Sequence, residues 1–350
     1  MKKISKICFL FILALLIFSQ AYSCGGSSSS SNNNNNNNNG GGGGGGGSSP
    51  TASGDNPTEG TGTVNYSGSL PATIGTFTNG SLTLSGTTRN LGIYRPSSAS
   101  NLPLIIALPG TGGVINDFKD DLGSTSSTTV EAFANSNSVI FVFPVPRDNV
   151  QDSWDHGSPG SPGEGTFWET ENDNADTNPD LLFFRAIIEQ AHSQFSINTN
   201  QVYVIGFSNG AFMAALTAQA LRSQIAAFAE NSGGLVTCPP RQDNDYTTSL
   251  TNCSSILSDS SVPSRMQCSS GSANYDPEPV VPFSSGSKRP GYLAHQNDDP
   301  TVSVYYTCSL YQDLNSKGYT TSVNITSGGG HSLVPNFLTN AWNFMRNYSL

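Results

Sequence analysis

The pentapeptide Gly206-Phe207-Ser208-Asn209-Gly210 sets a serine between two glycines, each two residues away. The run before it, Gln201-Val202-Tyr203-Val204-Ile205, reads as a strand, and Ala211-Phe212-Met213-Ala214-Ala215-Leu216 reads as a helix. A strand that turns straight into a helix forces the residue at the turn into a strained conformation and stands its hydroxyl clear of the sheet. The glycines belong there because a side chain would collide in so tight a turn. A serine hydroxyl is a weak nucleophile until a base takes its proton. The pattern therefore predicts acyl transfer and directs attention to the histidines and carboxylates that could complete it.

At such an elbow the acid and then the histidine follow the serine in chain order. The chain has four histidines, and two of them, His156 and His192, precede Ser208. His192 falls in the helical stretch Leu181 to Phe195 and reads as a surface residue. His295 ends the apolar run Tyr292-Leu293-Ala294 and is followed by Gln296-Asn297-Asp298-Asp299-Pro300, an acidic turn at a strand end where the acid belongs. Only His331, in the loop Gly328-Gly329-Gly330-His331-Ser332, comes after that turn. Asp298 and Asp299 both stand as acids, although side chains of neighbours in an extended loop diverge, so one alone can face His331.

These residues carry a resemblance to the esterase family that groups polyhydroxybutyrate depolymerases with feruloyl and acetylxylan esterases, from about Gly80 onward. Arg89-Asn90-Leu91-Gly92-Ile93-Tyr94-Arg95-Pro96 with Leu104-Ile105-Ile106-Ala107-Leu108-Pro109-Gly110 is similar to its opening strands and oxyanion loop. Asp180 to Gly210 resembles its helix, strand and elbow, and His295 to Val302 with Gly329-Gly330-His331 resembles its acid and histidine segments. The resemblance implies an α/β-hydrolase fold, a mostly parallel sheet covered by helices on both faces, with Ser208 as nucleophile, Asp299 as acid and His331 as base. Four positions depart from the family pattern: Pro109 stands for a histidine, Gly113 for a glutamine, Gln296 for a glycine and Leu333 for a tryptophan. These departures bear on substrate preference.

Charge on the carbonyl oxygen during attack needs two backbone donors. The N–H of Asn209, at a helix start, and that of Thr111, in the loop Gly110-Thr111-Gly112-Gly113, are the expected pair. No C-x-x-C pair and no phosphate-binding G-x-x-x-x-G-K occurs, so neither metal nor cofactor is expected.

The apolar runs Leu104 to Leu108, Val139 to Val145, Gln201 to Ile205, Ile225 to Ala229 and Tyr292 to Ala294 are short and uninterrupted, as in buried parallel strands. Asn178 and Pro179 mark a helix start, with Leu181, Phe184, Ile188, Ala191 and Phe195 at helical spacing. The alternation favours a βαβ fold. A final helix is expected over Val334 to Tyr348.

Lys2, Lys3 and Lys6 precede the apolar stretch Ile7 to Phe18, the pattern of a secretory signal. Ala21-Tyr22-Ser23-Cys24 resembles a lipobox, making Cys24 the candidate for acylation and residues 1–23 a lipoprotein signal. Ser27 to Ser31, Asn32 to Asn39 and Gly40 to Gly47 hold no apolar residue, so residues 24–64 read as a tether and 65–350 as the catalytic domain. Cys238, Cys253, Cys268 and Cys308 are an even set, expected to form two disulfides in one of three pairings. Three of them lie in or beside Cys238 to Arg289, an insertion expected to form a stapled lid or rim. The expected location is extracytoplasmic, anchored in a membrane through lipid alone or else secreted, and the expected state is a monomer.

The formal net charge is −10, and loss of the three signal lysines leaves 12 Lys and Arg against 25 Asp and Glu. Polyanionic partners, nucleic acid among them, are disfavoured. The stretch Trp154 to Trp168 offers aromatic surface for a sugar or phenolic ring, unless Trp168 packs inside. The leading reading is hydrolysis of feruloyl or acetyl esters on oligosaccharides, with a polyhydroxybutyrate oligomer depolymerase as alternative. A serine peptidase and a non-catalytic surface-binding lipoprotein are weaker readings.

Overall fold

The computed structural model describes residues 57–148, 166–170, 172–234, 246–263 and 286–350. Cys24, Cys238, Cys268, His156 and Trp154 lie outside the described residues. Strands β1 (Tyr66–Gly68), β2 (Thr78–Leu84), β3 (Thr87–Tyr94) and β4 (Leu104–Leu108) lead into helices α1 (Ile115–Ser124) and α2 (Val130–Asn137). Strand β5 (Ile140–Pro144) follows, then a two-residue ribbon of β6 (Arg147–Asp148) and β7 (Thr166–Phe167). The chain continues through α3 (Pro179–Phe195), β8 (Val202–Phe207), α4 (Asn209–Ala220), β9 (Ala227–Asn231) and α5 (Cys253–Leu257). It ends with β10 (Gly291–Gln296), α6 (Val304–Ser316), β11 (Thr321–Thr326) and α7 (Phe337–Met345).

Among the described residues nine strands form one sheet in the order β1-β2-β3-β5-β4-β8-β9-β10-β11. β1, β2, β3 and β5 join antiparallel in turn, and β5, β4, β8, β9, β10 and β11 run parallel. The parallel strands need cover on both faces, and their side chains divide accordingly. Leu104, Ile106 and Leu108 of β4, with Val202 and Val204 of β8, enter a core with residues of α3, α4 and α6. Ile105 and Ala107, with Tyr203 and Ile205, enter the opposite core with residues of α1, α2 and α7. The period of two along each strand decides which layer each residue serves.

Asn178 caps α3 by accepting from the N–H groups of Asp180 and Leu181, with Pro179 at the first helical position. Several element bounds differ from the sequence reading by a few residues, and two of the shifts have a visible cause. β9 starts at Ala227 and not at Ile225, because the N–H of Ile225 still bonds the Leu221 carbonyl in the turn that ends the preceding helix. The last helix starts at Phe337, since Asn336 sits in the left-handed region at φ 61° and the N–H of Val334 is taken by the side chain of Asn231.

Residues 57–64, counted with the tether in the sequence reading, lie against the domain. Glu59 pairs with Arg222, the N–H groups of Thr61 and Gly62 donate to Asp176, and Arg185 reaches the Gly62 carbonyl. Within the insertion, residues 246–263 carry more core than their composition suggests. Tyr246, Cys253, Ile256 and Val262 pack with Val304, Tyr305 and Cys308 in a small third cluster. Cys253 and Cys308 form a disulfide with Cα atoms 5.0 Å apart, which ties α5 to α6. None of the described helices is long and apolar enough to cross a membrane.

Candidate active site

The site lies at the carboxyl ends of the parallel strands, where an open α/β sheet exposes its loops. Ser208 ends the β8 turn with φ 54° and ψ −125°, a conformation an L-residue adopts only under constraint. The constraint is steric closure. A Cβ on Gly206 would stand 1.9 Å from the Gly210 carbonyl oxygen, and one on Gly210 would stand 2.3 Å from that of Leu108. With both glycines in place the turn packs against the end of β4, and the hydroxyl faces the loops beyond.

His331 reaches Ser208 from the loop after β11, its Nε2 lying 3.0 Å from Oγ. Its Nδ1 lies 2.8 Å from Oδ2 of Asp299, in the loop after β10. The imidazole also stacks on Phe207, centroids 4.8 Å apart. Asp299 is 1% exposed and fully committed. Its Oδ1 accepts from the N–H groups of Thr301 and Val302, at 2.8 and 2.9 Å. Burial pushes the Asp299 carboxyl up, yet the hydrogen bonds from His295 and His331 and their charge outweigh it, holding the carboxyl well below the usual range.

Asp298 points away from the histidine. Its Oδ1 accepts from the N–H groups of Gly328, Gly329 and Gly330, at 3.0 to 3.3 Å, fixing the glycine run that delivers His331. The two adjacent aspartates therefore divide the work, one facing the imidazole and the other holding its loop. Asn209 starts α4 and Thr111 is exposed in the loop after β4. The two strands bearing these donors are neighbours, and a Cβ on Gly110 would meet that of Ser208 at 2.9 Å, so the Thr111 loop closes directly over the serine.

Three residues that sequence reading did not assign to the site hold these parts together. His295 is fully buried, and its Nε2 lies 2.8 Å from the Val302 carbonyl and 3.3 Å from Oδ2 of Asp299. Both are acceptors, so Nε2 carries the hydrogen and braces the acid from behind. The spacing of four residues between His295 and Asp299 was a visible signal for this contact. Asn231, at the end of β9, donates through Nδ2 to the Ser332 carbonyl at 3.1 Å and accepts at Oδ1 from the N–H of Val334 at 2.8 Å. Its own carbonyl accepts from the N–H of Ser208 at 3.0 Å, so one residue spans the serine turn and the histidine loop.

Trp168 is the third, and it is not a sugar platform. It is fully buried, its indole packs on Phe184 with centroids 5.3 Å apart, and its Nε1 donates to the Pro109 carbonyl at 2.8 Å. Its backbone N–H donates to Oδ1 of Asn209, also at 2.8 Å. Trp168 thus links the two segments expected to supply oxyanion donors. His192 stays exposed on α3, away from these groups.

Behind the acid lies a further carboxyl. Glu230 is fully buried, its Oε1 lies 3.2 Å from Oγ1 of Thr307, and that hydroxyl is 2.7 Å from Nδ1 of His295. Burial pushes the Glu230 carboxyl up to about 8, so it is mostly protonated at neutral pH. Among the described residues no group of three His, Cys, Asp or Glu side chains is arranged to hold a metal ion.

An acetyl xylan esterase from Aspergillus awamori superposes on this chain with a TM-score of 0.51 at 17% identity, covering 77% of this chain and 99% of its own. The fold is that of an α/β-hydrolase. Esterase PE8 also superposes, with a TM-score of 0.46 at 19% identity over 73% of this chain and 96% of its own. In sequence, the bifunctional acetylxylan esterase/xylanase XynS20E of Neocallimastix patriciarum is 28% identical over 149 residues, or 42% of this chain. That stretch spans 18% of the relative's length. No family profile matches the chain.

Proposed function

We propose that the chain is an exported serine carboxylic ester hydrolase acting on acyl-decorated polysaccharide, with acetyl esters as its first substrates and feruloyl esters next. The observation that carries this reading is the continuous chain of contacts from Ser208 through His331 to Asp299, at a strained turn beneath the β4 loop. His331 takes the serine proton as Oγ attacks the ester carbonyl, then returns it to the leaving alcohol. Asp299 fixes the tautomer and stabilises the imidazolium. The N–H groups of Asn209 and Thr111 receive the oxyanion, where loss of one donor costs on the order of 3 kcal/mol. Water repeats the sequence on the acyl-enzyme and frees the acid.

The acetyl preference draws on the named activity of the curated relative, and the exposed, ligand-sized pocket beside His331 suits a soluble alcohol. Export rests on the signal pattern and on the disulfide, which persists in oxidising compartments. Anchoring through Cys24 is part of the same proposal: a Cys24→Ala variant is expected to leave the detergent phase in a partition experiment. The substrate assignment is tested by release rates from acetylated xylan, methyl ferulate, hydroxybutyrate oligomers and polyhydroxybutyrate film side by side. The expected order is that of the list, and fastest release from the hydroxybutyrate compounds overturns it.

A further inference from the structure

A pocket of about 430 Å³, bordered by His331, opens between α1 and the chain that follows β11. This lies within the usual range for small-molecule sites, roughly 300–1,000 Å³. Phe118, Phe207 and Leu333 give it an apolar wall, and Asp121 and Ser124 stand on the α1 side. Its position relative to the serine decides which half of an ester can enter. The oxygen that leaves must lie within hydrogen-bond reach of the imidazole that protonates it. The carbonyl oxygen instead turns toward Asn209 and the β4 loop, and neither lines this pocket. The space that His331 itself borders is therefore the continuation of the leaving alcohol.

The charge of that space is one-sided. Asp121 is exposed, and both Asp117 and Asp120 act on it with like charge. The nearby cation, Lys119, is engaged with Asp120 and Glu131 at 2.6 and 3.0 Å. Among the described residues no cation pairs with Asp121. We infer that the pocket beside His331 takes the alcohol half of the substrate and that Asp121 makes it selective for uncharged alcohols, such as a sugar hydroxyl, over alcohols that carry a carboxylate. The inference rests on the ester-hydrolase reading and sharpens it. A sugar face can lie on the apolar wall while its hydroxyls donate to the Asp121 carboxylate. A short hydroxyacid oligomer, whose leaving alcohol ends in a carboxylate, meets repulsion at the same place.

The test uses two esters that differ in the charge of the leaving phenol, 4-acetoxybenzamide and 4-acetoxybenzoate. The quantity read is the ratio of their kcat/KM values, each normalised to its rate of hydroxide hydrolysis. The wild-type ratio is expected to favour the amide roughly three- to tenfold at low ionic strength and to shrink as salt is added, as for one partly exposed charge acting across a wet pocket. Asp121→Asn should narrow the ratio and Asp121→Lys should invert it, whatever either does to absolute rates. A ratio that stays the same across all three proteins overturns the inference while leaving the esterase reading intact. Failure of the wild type to cleave either ester counts against both.

Discussion

Glu230→Gln isolates a fully buried carboxyl. The side chain is fully buried, and a Cβ on Gly233 would stand 1.9 Å from its Oε2, so the carboxyl lies close against the backbone of that turn. Among the described residues Oε2 has no hydrogen-bond partner, and burial outweighs the hydrogen bond from Thr307, raising the carboxyl from 4.5 to about 8. The native state then holds a proton that the unfolded chain releases, so stability from this group is fully present below pH 4.5 and is lost as pH rises toward 8. A shift of about 3.5 units at 1.36 kcal/mol each gives a loss on the order of 5 kcal/mol by pH 9, roughly half of a typical folding free energy. Glutamine keeps the shape, accepts from Thr307 through its own Oε1, and never ionises. Thermal unfolding of wild type and variant across pH 4.5 to 9 is the assay. The melting temperatures should nearly coincide at pH 4.5 and separate by about 10 °C at pH 9, at roughly 2 °C per kcal/mol for a domain of this size. Parallel curves across the whole range would refute a neutral buried Glu230.

Asn231→Ala removes both bonds to the histidine loop and should lower kcat on p-nitrophenyl acetate by about tenfold or more, with KM nearly constant, because positioning and not binding is lost. Trp168→Phe leaves the buried Pro109 carbonyl without its donor, at a cost of about 1–3 kcal/mol, and should lower kcat while melting only modestly earlier. Asp299→Asn presents an amide to His331 Nδ1, disfavours the productive tautomer, and should cost on the order of 10⁴ in kcat. Asp298→Asn loosens the glycine loop and should cost about tenfold, with the gap between the two asparagine variants as the reading. Reduction of the Cys253–Cys308 bond should destabilise α5 by about 2–4 kcal/mol and raise its hydrogen exchange before that of β8.

The serine turn is legible because all of its determinants, strand, glycines and helix together, lie within the sixteen residues Gln201 to Leu216. His331 followed by order along the chain, since only one histidine comes after a carboxylate at a strand end. What stayed hidden were contacts between distant segments. Asn231 reads as an ordinary polar residue closing an apolar strand, and its role depends on a loop 101 residues later. Trp168 looked equally like a binding platform or a core residue, a choice settled by a hydrogen bond to a carbonyl 59 residues earlier. Asp298 reads as a second candidate acid beside Asp299, because nothing local indicates that three glycine N–H groups converge on it. Strand ends shifted by one or two residues where backbone bonds, as at Ile225, held the chain in a turn beyond its apolar pattern.

On the proposed mechanism Ser208 is a nucleophile made reactive by His331. Its most direct measurement is peptide mass mapping after incubation with a p-nitrophenyl phosphonate ester, run on wild type, Ser208→Ala and His331→Ala at matched fold content. One stoichiometric adduct is expected on the peptide carrying Ser208, with p-nitrophenol released in step with lost esterase activity and no adduct in either variant. Esterase activity lost without modification of Ser208, or an equal rate of adduct formation in His331→Ala, would contradict it.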